Sequence, residues 1–303
     1  MTAVATAPPV SSAPVPTVVF PEVDAREFAA GFNHHPFVLR HTLAGHPSFT
    51  LERLVELGAR LPKASVEYNL GDIPVGYGRQ DGPGNGLSVA ETIARIEECR
   101  SWMVLKNVEQ DAEFKALLDK CLDELQPFAE ELAPGMFLRM GFIFISSPGS
   151  MTPYHIDPEN NFLMQIRGTK RVALFDPTDR ALASQRDLER LFSGGHRNLD
   201  WQPAFEEKAM WFDLAPGEAL HFPVHAPHFV KNGDAPSISF SITFQTNDSN
   251  RRRGIHWVNE RLRRVGVGRP AMPGDSAFAD SWKYGVYSTL RGAKRLLKGK
   301  SPR

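Results

Sequence analysis

At 303 residues the chain can form one large domain or two small ones, and a hydrophobic content of 42% is ordinary for a soluble globular protein. Its formal net charge is zero, so bulk charge selects neither nucleic acid nor an anionic surface as a partner. Two cysteines, Cys99 and Cys121, exclude a disulfide framework and a cysteine-based zinc motif and fit a reducing, cytoplasmic compartment, while the lack of any run of about eighteen apolar residues excludes a spanning helix.

Residues 1–17 are rich in Ala, Pro, Val, Ser and Thr, with prolines at 8, 9, 14 and 16. Without a basic start or an unbroken apolar run they read as a disordered leader. Residues 18–135 read as a mixed, mainly helical region that packs on a later core. Asp24 and Ser88, each followed by a glutamate three residues on, resemble capping boxes that open helices; the second helix carries Ile93, Ile96 and Cys99 at helical spacing. Asp111 is expected to cap a further helix with Phe114, Leu117, Leu118, Cys121, Leu122 and Leu125 as its apolar positions. Between these two helices, residues 102–107 read as a strand. Residues 76–86 are glycine-rich but miss the dinucleotide-binding GxGxxG, because Asp81 stands where the third glycine belongs. They are expected to form a mobile surface loop, a flap beside the active site.

From 136 to 248 the texture changes to short runs, 142–145, 161–166, 171–175, 219–222 and 237–244, separated by Pro/Gly turns, as in an all-β barrel or sandwich. In the last run Phe240, Ile242 and Phe244 alternate with Ser239, Ser241 and Thr243, which suits a barrel wall around a polar cavity. Residues 249–303 return to helix. Trp257, Leu262 and Val265 are its apolar positions, and a Pro/Gly break at 266–274 precedes a final basic helix near 281–298. From Arg251 onward there are fourteen Lys/Arg against three acids. Solvated helix faces account for that excess, and RNA or ribosome binding and homodimerisation through the helices are its two functional readings.

The chemistry concentrates at His155-Ile156-Asp157. On a strand the two polar side chains face the same side. A buried carboxylate needs a compensating cation, and one distant histidine completes two imidazoles and a carboxylate. That is the facial triad of non-haem Fe(II) oxygenases, which leaves metal positions open for a co-substrate and dioxygen. His221, His225 and His228 are the candidates for the third ligand. Pro223 and Pro227 exclude a helical HxxxH zinc site, and a strand after the Pro-rich turn favours His228, with Phe229 pointing outward. His221 and His225 then read as neighbouring or surface residues.

Residues 151–177 (MTPYHIDPENNFLMQIRGTKRVALFDP) closely resemble the central motif of the JmjC/cupin-like 2-oxoglutarate oxygenases, particularly the subgroup of the asparaginyl hydroxylase that inhibits hypoxia-inducible factor. In that family a co-substrate-binding lysine follows the His-x-Asp strand, and Lys170 holds its position here. Thr152 and Asn161 match further co-substrate positions, and Pro223 with His228 matches the closing motif. The resemblance implies a mainly β fold with flanking helices, built on a double-stranded β-helix (cupin/jelly-roll, JmjC-like) core at 136–248. It implies Fe(II) held by His155, Asp157 and His228, which are also the catalytic residues. It further implies 2-oxoglutarate bound by Thr152, Asn161, Lys170 and Thr243, O2 as the other co-substrate, and hydroxylation or demethylation as the reaction. The chain departs from the family at Ala226-Pro227, where a Trp-Trp pair is usual, and at Thr243, where the related hydroxylase has asparagine. A non-catalytic cupin-type binding protein and a metal-dependent cupin enzyme not using 2-oxoglutarate are the alternative classes. Whether the substrate is a protein side chain, RNA or ribosome, or a small molecule lies in loops that sequence does not shape.

Overall fold

A computed structural model describes residues 13–78 and 82–297; residues 1–12 of the leader, 79–81 of the glycine-rich loop and 298–303 of the basic tail lie outside the described residues. The strands are β1 (Phe37–Arg40), β2 (Val66–Leu70), β3 (Ser101–Lys106), β4 (Phe137–Ser146), β5 (Met151–His155), β6 (Asn160–Arg167), β7 (Lys170–Leu174), β8 (Met210–Leu214), β9 (Glu218–His221), β10 (His228–Asn232) and β11 (Ser237–Gln245). They form a seven-stranded sheet in the order β1-β9-β6-β11-β4-β3-β2 and a four-stranded sheet in the order β5-β10-β7-β8. Every pairing between these strands is antiparallel.

Alternation with a period of two decides which side chains meet. Leu163 and Leu220 of the large sheet pack with Val172, Leu174, Leu214 and Val230 of the small one, which closes the double-stranded β-helix. On the opposite face of the large sheet, Phe162, Met164, Phe240, Ile242 and Phe244 join a core with the helices α1 (Ala25–Gly31), α2 (Leu51–Arg60) and α4 (Ala112–Leu132). The β11 alternation therefore works as expected, with the large apolar groups toward the helices and Ser241 and Thr243 toward the interior. Behind the small sheet, Tyr154, Phe175 and Phe229 pack with Leu182, with Leu188 of the helix α5 (Gln185–Leu191) and with Leu199. Phe229 thus points out of the barrel, as expected, but into a second core rather than to solvent.

The caps fall where the sequence places them. Asp24 accepts from the amides of Arg26 and Glu27 at 2.8 and 3.0 Å, although the reciprocal half of the box is absent. Ser88 and Glu91 form a complete capping box on α3 (Val89–Ala94), and Asp111 accepts from Glu113 and Phe114 at the start of α4.

Other readings are corrected. The N-terminal region combines the helices α1 to α4 with three strands rather than the one expected, because it supplies β1, β2 and β3 to the large sheet. β1 and β2 are edge strands of four and five residues, too short for alternation to declare them. α3 ends at Ala94, so Ile96 and Cys99 follow in turns rather than on the helix. In α6 (Asn247–Arg264) the buried apolar residues are Ile255 and Val258, whereas Val265 lies past the end and is 78% exposed. The last helix, α7, spans Ala277–Leu297 and starts earlier than expected. Among the described residues no helix is long and apolar enough to cross a membrane.

Candidate metal centre

β5 ends at His155, so the expectation of one strand carrying both His155 and Asp157 needs correction: Asp157 lies two residues beyond the strand. The chain is held extended there by a different neighbour. The Ile156 amide donates to the Arg197 carbonyl at 3.2 Å, the Leu199 amide donates to the Tyr154 carbonyl at 2.9 Å, and His155 bridges to Asn198. On the other side His228, the first residue of β10, is the register partner of His155. Strand pairing therefore sets the two imidazoles side by side, with ring centroids 4.0 Å apart.

Each imidazole is oriented through its far nitrogen. His155 Nδ1 lies 2.7 Å from the Pro153 carbonyl and His228 Nδ1 lies 3.0 Å from the Ala226 carbonyl. A carbonyl only accepts, so both Nδ1 atoms donate, which leaves the Nε2 atoms as the ones turned toward the carboxylate. Those Nε2 atoms are 3.7 and 3.6 Å from the same Asp157 oxygen, Oδ2. One ligand atom from each of the three residues lies within 4.8 Å of the others, the only such group among the described residues. Burial opposes charge on Asp157, but His155, then Arg197 and His228, outweigh it and hold the carboxyl well below the usual range. Burial keeps His228 neutral, with its pKa lowered to about 3. Two imidazole nitrogens and one carboxylate fit a divalent first-row metal.

Thr152 stands three residues before His155, and in a regular strand the two would face opposite sides. A bulge removes the conflict: β10 advances two residues from His228 to Val230 while β5 retreats three from His155 to Thr152. Pro153 and Tyr154 absorb the extra residue, so Thr152 and His155 line one cavity while Tyr154 faces the core behind the sheet. That cavity also holds Asp157, Asn161, Lys170, His228 and Ser241.

Lys170 is only 5% exposed, and no hydrogen bond or ion pair to its ammonium occurs among the described residues. Burial alone lowers its pKa to about 7. Asn161 Oδ1 is likewise buried without a partner, and no hydrogen bond occupies the Thr152 hydroxyl. The Lys170 ammonium and the Thr152 hydroxyl are donors that fit a carboxylate-bearing ligand that also reaches the triad, and Asn161 can add only its Nδ2, because its Oδ1 accepts. Thr243 is placed elsewhere. Its hydroxyl donates to the Met140 carbonyl at 3.0 Å, and it shares a smaller cavity with Asp157, Glu159 and Arg197; Ser241 is the β11 hydroxyl that lines the Lys170 cavity.

Sequence reading missed two residues here, Glu159 and Arg197, whose Nη1 lies 3.3 Å from Asp157 Oδ1. Arg197 comes from the long β7–β8 connection, and no motif there signals it. Glu159 is pushed up to about 7 by burial and by neighbouring Asp157. A groove of about 460 Å3, lined by Trp102, Phe142, Phe144, Glu67, Lys106 and Glu159, opens onto His155 and Asp157. Tyr77 and Gly82, flanking residues 79–81 of the glycine-rich loop, border the same groove. His221 is fully buried between the Asn161 carbonyl and the Asn33 amide, and so serves as a packing residue rather than a surface one.

Fold and site together define a double-stranded β-helix with a two-histidine, one-carboxylate centre. Residues 88–250, more than half of the chain, match the cupin-like domain, and the chain belongs to that family. It is 30% identical over 108 residues to Jumonji C domain-containing protein 5 of Drosophila melanogaster, covering 34% of this chain and 27% of that protein. It is 27% identical over 105 residues to lysine-specific demethylase 8 of Danio rerio, covering 32% of this chain and 24% of that protein. The match thus spans about a quarter of each curated relative. The crystal structure of E. coli ycfD shares the fold with a TM-score of 0.51 at 18% identity, over 89% of this chain and 67% of that one.

Proposed function

We propose that this protein is an Fe(II)- and 2-oxoglutarate-dependent oxygenase. The observation that carries this reading is Lys170, a buried side chain that pairs with no anion among the described residues, in the same cavity as three converging metal ligands. The same observation disfavours a cupin enzyme that does without 2-oxoglutarate. His155, Asp157 and His228 are the residues that hold the metal, and Lys170, Thr152 and Asn161 receive the far carboxylate of the co-substrate. Bound Fe(II) with 2-oxoglutarate and O2 supplies oxidising power toward a C–H bond, with succinate and CO2 as co-products. The protein orients the ligands through the Pro153 and Ala226 carbonyls, keeps Asp157 ionised through Arg197, and excludes water with Trp102, Phe144 and Phe222 around the cavity. Thr243, which hydrogen-bonds to the backbone outside that cavity, has no co-substrate role in this reading. The groove volume suits one side chain or a small molecule, and hydroxylation is the reaction we assign. Purified protein with Fe(II), 2-oxoglutarate and ascorbate in air should release succinate, even slowly without a primary substrate. No succinate with any substrate pool would favour the non-catalytic cupin.

We further propose a cytoplasmic homodimer through α7. Phe278, Trp282, Val286 and Leu290 recur every four residues and are 82, 40, 41 and 52% exposed, an apolar stripe about 18 Å long on one helix face. A second copy of the same stripe is self-complementary about a two-fold axis. Light scattering should give twice the chain mass, falling to the monomer in Trp282→Asp/Leu290→Asp. A monomeric parent, or an unchanged mass in the variant, would contradict this and leave the basic tail to its nucleic-acid reading.

A further inference from the structure

A second cavity, of about 220 Å3, lies between the turn that leads to His228 and the first turns of α6, and it shares no lining residue with the cavities at the metal centre. Two histidines line it. His256 is 3% exposed, and among the described residues no hydrogen bond reaches either of its ring nitrogens. The same holds for the ring of His225, whose Nε2 is buried and bare. The rings lie 6.1 Å apart, and Phe192 contacts both at 5.3 and 5.6 Å. His225 Nε2 and His256 Nδ1 are sealed from solvent, so the ring nitrogens left for a polar occupant are His225 Nδ1 and His256 Nε2, which no hydrogen bond reaches among the described residues.

The charge around it indicates which kind. Arg180 lines the cavity and makes no ion pair among the described residues; its Nη1 donates to the Pro177 carbonyl at 2.8 Å. The carboxylates near it are otherwise engaged: Asp176 accepts from Thr178, and Asp179 from Lys208. Arg252 stands at the rim, paired at 2.7 Å with Asp248, the one carboxylate among the described residues that lines the cavity. Two guanidiniums against one carboxylate leave the lining net positive, which favours an anion. The volume falls below the roughly 300–1,000 Å3 of sites for drug-sized ligands, so the occupant is small.

We propose that this cavity binds a compact oxyanion, a phosphate or carboxylate group, between Arg180, Arg252 and the His225–His256 pair. The site does not depend on the oxygenase reading, and it lies one hydrogen bond from the metal centre, since the His225 amide donates to the Asp157 carbonyl at 3.3 Å.

The test uses the full-length, metal-free protein and follows the imidazole C2–H resonances by NMR as inorganic phosphate, succinate or neutral glycerol is added. His225 and His256 signals, assigned from His225→Gln and His256→Gln spectra, should shift saturably with one or both anions and not with glycerol. The anion with the lower half-saturation identifies the source. Half-saturation should rise about tenfold in Arg180→Gln and in Arg252→Gln, the loss of one charge-assisted hydrogen bond. The Arg252–Asp248 pair is exposed, so its variant leaves the fold intact. No saturable shift, an equal response to glycerol, or a folded variant that titrates like the parent would overturn the proposal and assign the cavity to water.

Discussion

Lys170→Met should make the metal-free protein more stable while removing its affinity for 2-oxoglutarate. The lysine is buried on β7 with no counter-charge, and its pKa falls from 10.5 to about 7 through burial alone. Between those two values the unfolded chain holds a proton that the folded chain does not, so stability rises with pH across that window. Below pH 7 the cost of the buried ammonium is fully present, and it fades as pH approaches 10.5. Methionine keeps the length and removes the charge. A gain of about 2 kcal/mol near pH 7, shrinking toward pH 10, is the expected order for relieving an unpaired buried polar group. Denaturant titration of both proteins at the two pH values checks it. Truncating one side of a buried charge pair costs about 2–5 kcal/mol, so 2-oxoglutarate affinity should fall at least about thirtyfold. In the parent, affinity should also weaken as pH rises above 7, because binding then requires proton uptake by Lys170. A variant that loses stability and keeps its affinity would place the co-substrate elsewhere.

Asp157→Asn should lower both the affinity for metal and the stability of the metal-free protein. The asparagine keeps the shape but not the charge, leaving two neutral imidazoles to hold a divalent cation. Residues one step removed from a metal alone are worth roughly 10–100-fold in affinity, so loss of the only anionic ligand should exceed 100-fold. Anaerobic titration with Fe(II) or Co(II) measures this. The metal-free variant should also be less stable, because Arg197 loses its partner at 3.3 Å and Asp157 is the group whose ionisation His155, Arg197 and His228 favour. Its folded pKa is depressed, so that contribution is present above the ordinary aspartate pKa and is lost as pH falls into the acid range. Stability of parent and variant should therefore converge at low pH. Unchanged metal affinity in the variant would exclude Asp157 as a ligand.

The legible part of the site was the part written in short spacings. His155, Asp157 and the choice of His228 came from a two-residue step and a proline-rich turn, and the three do converge. What escaped depends on chain geometry that spacing does not encode. Thr152 and His155 share a face only because a bulge at Pro153–Tyr154 shifts the register. Asp157 is held extended by the 197–199 segment rather than by a strand of its own motif. Arg197 is a lone arginine in a long connection, brought to Asp157 by that backbone pairing. On β11 the alternation placed both Ser241 and Thr243 inward, but only the register against β6, Ser241 to Leu163 and Thr243 to Asn161, separates the Lys170 cavity from its neighbour. The edge strands β1 and β2 draw their order from the strands beside them and not from their own four or five residues.

The most direct test of the central claim is anaerobic absorption spectroscopy of the purified protein loaded with Fe(II). Adding 2-oxoglutarate should produce a weak visible metal-to-ligand charge-transfer band in the parent, absent in His155→Ala and reached only at much higher 2-oxoglutarate concentration in Lys170→Met. No band in the parent under saturating Fe(II) and 2-oxoglutarate would contradict the assignment of this cavity to the metal and its co-substrate.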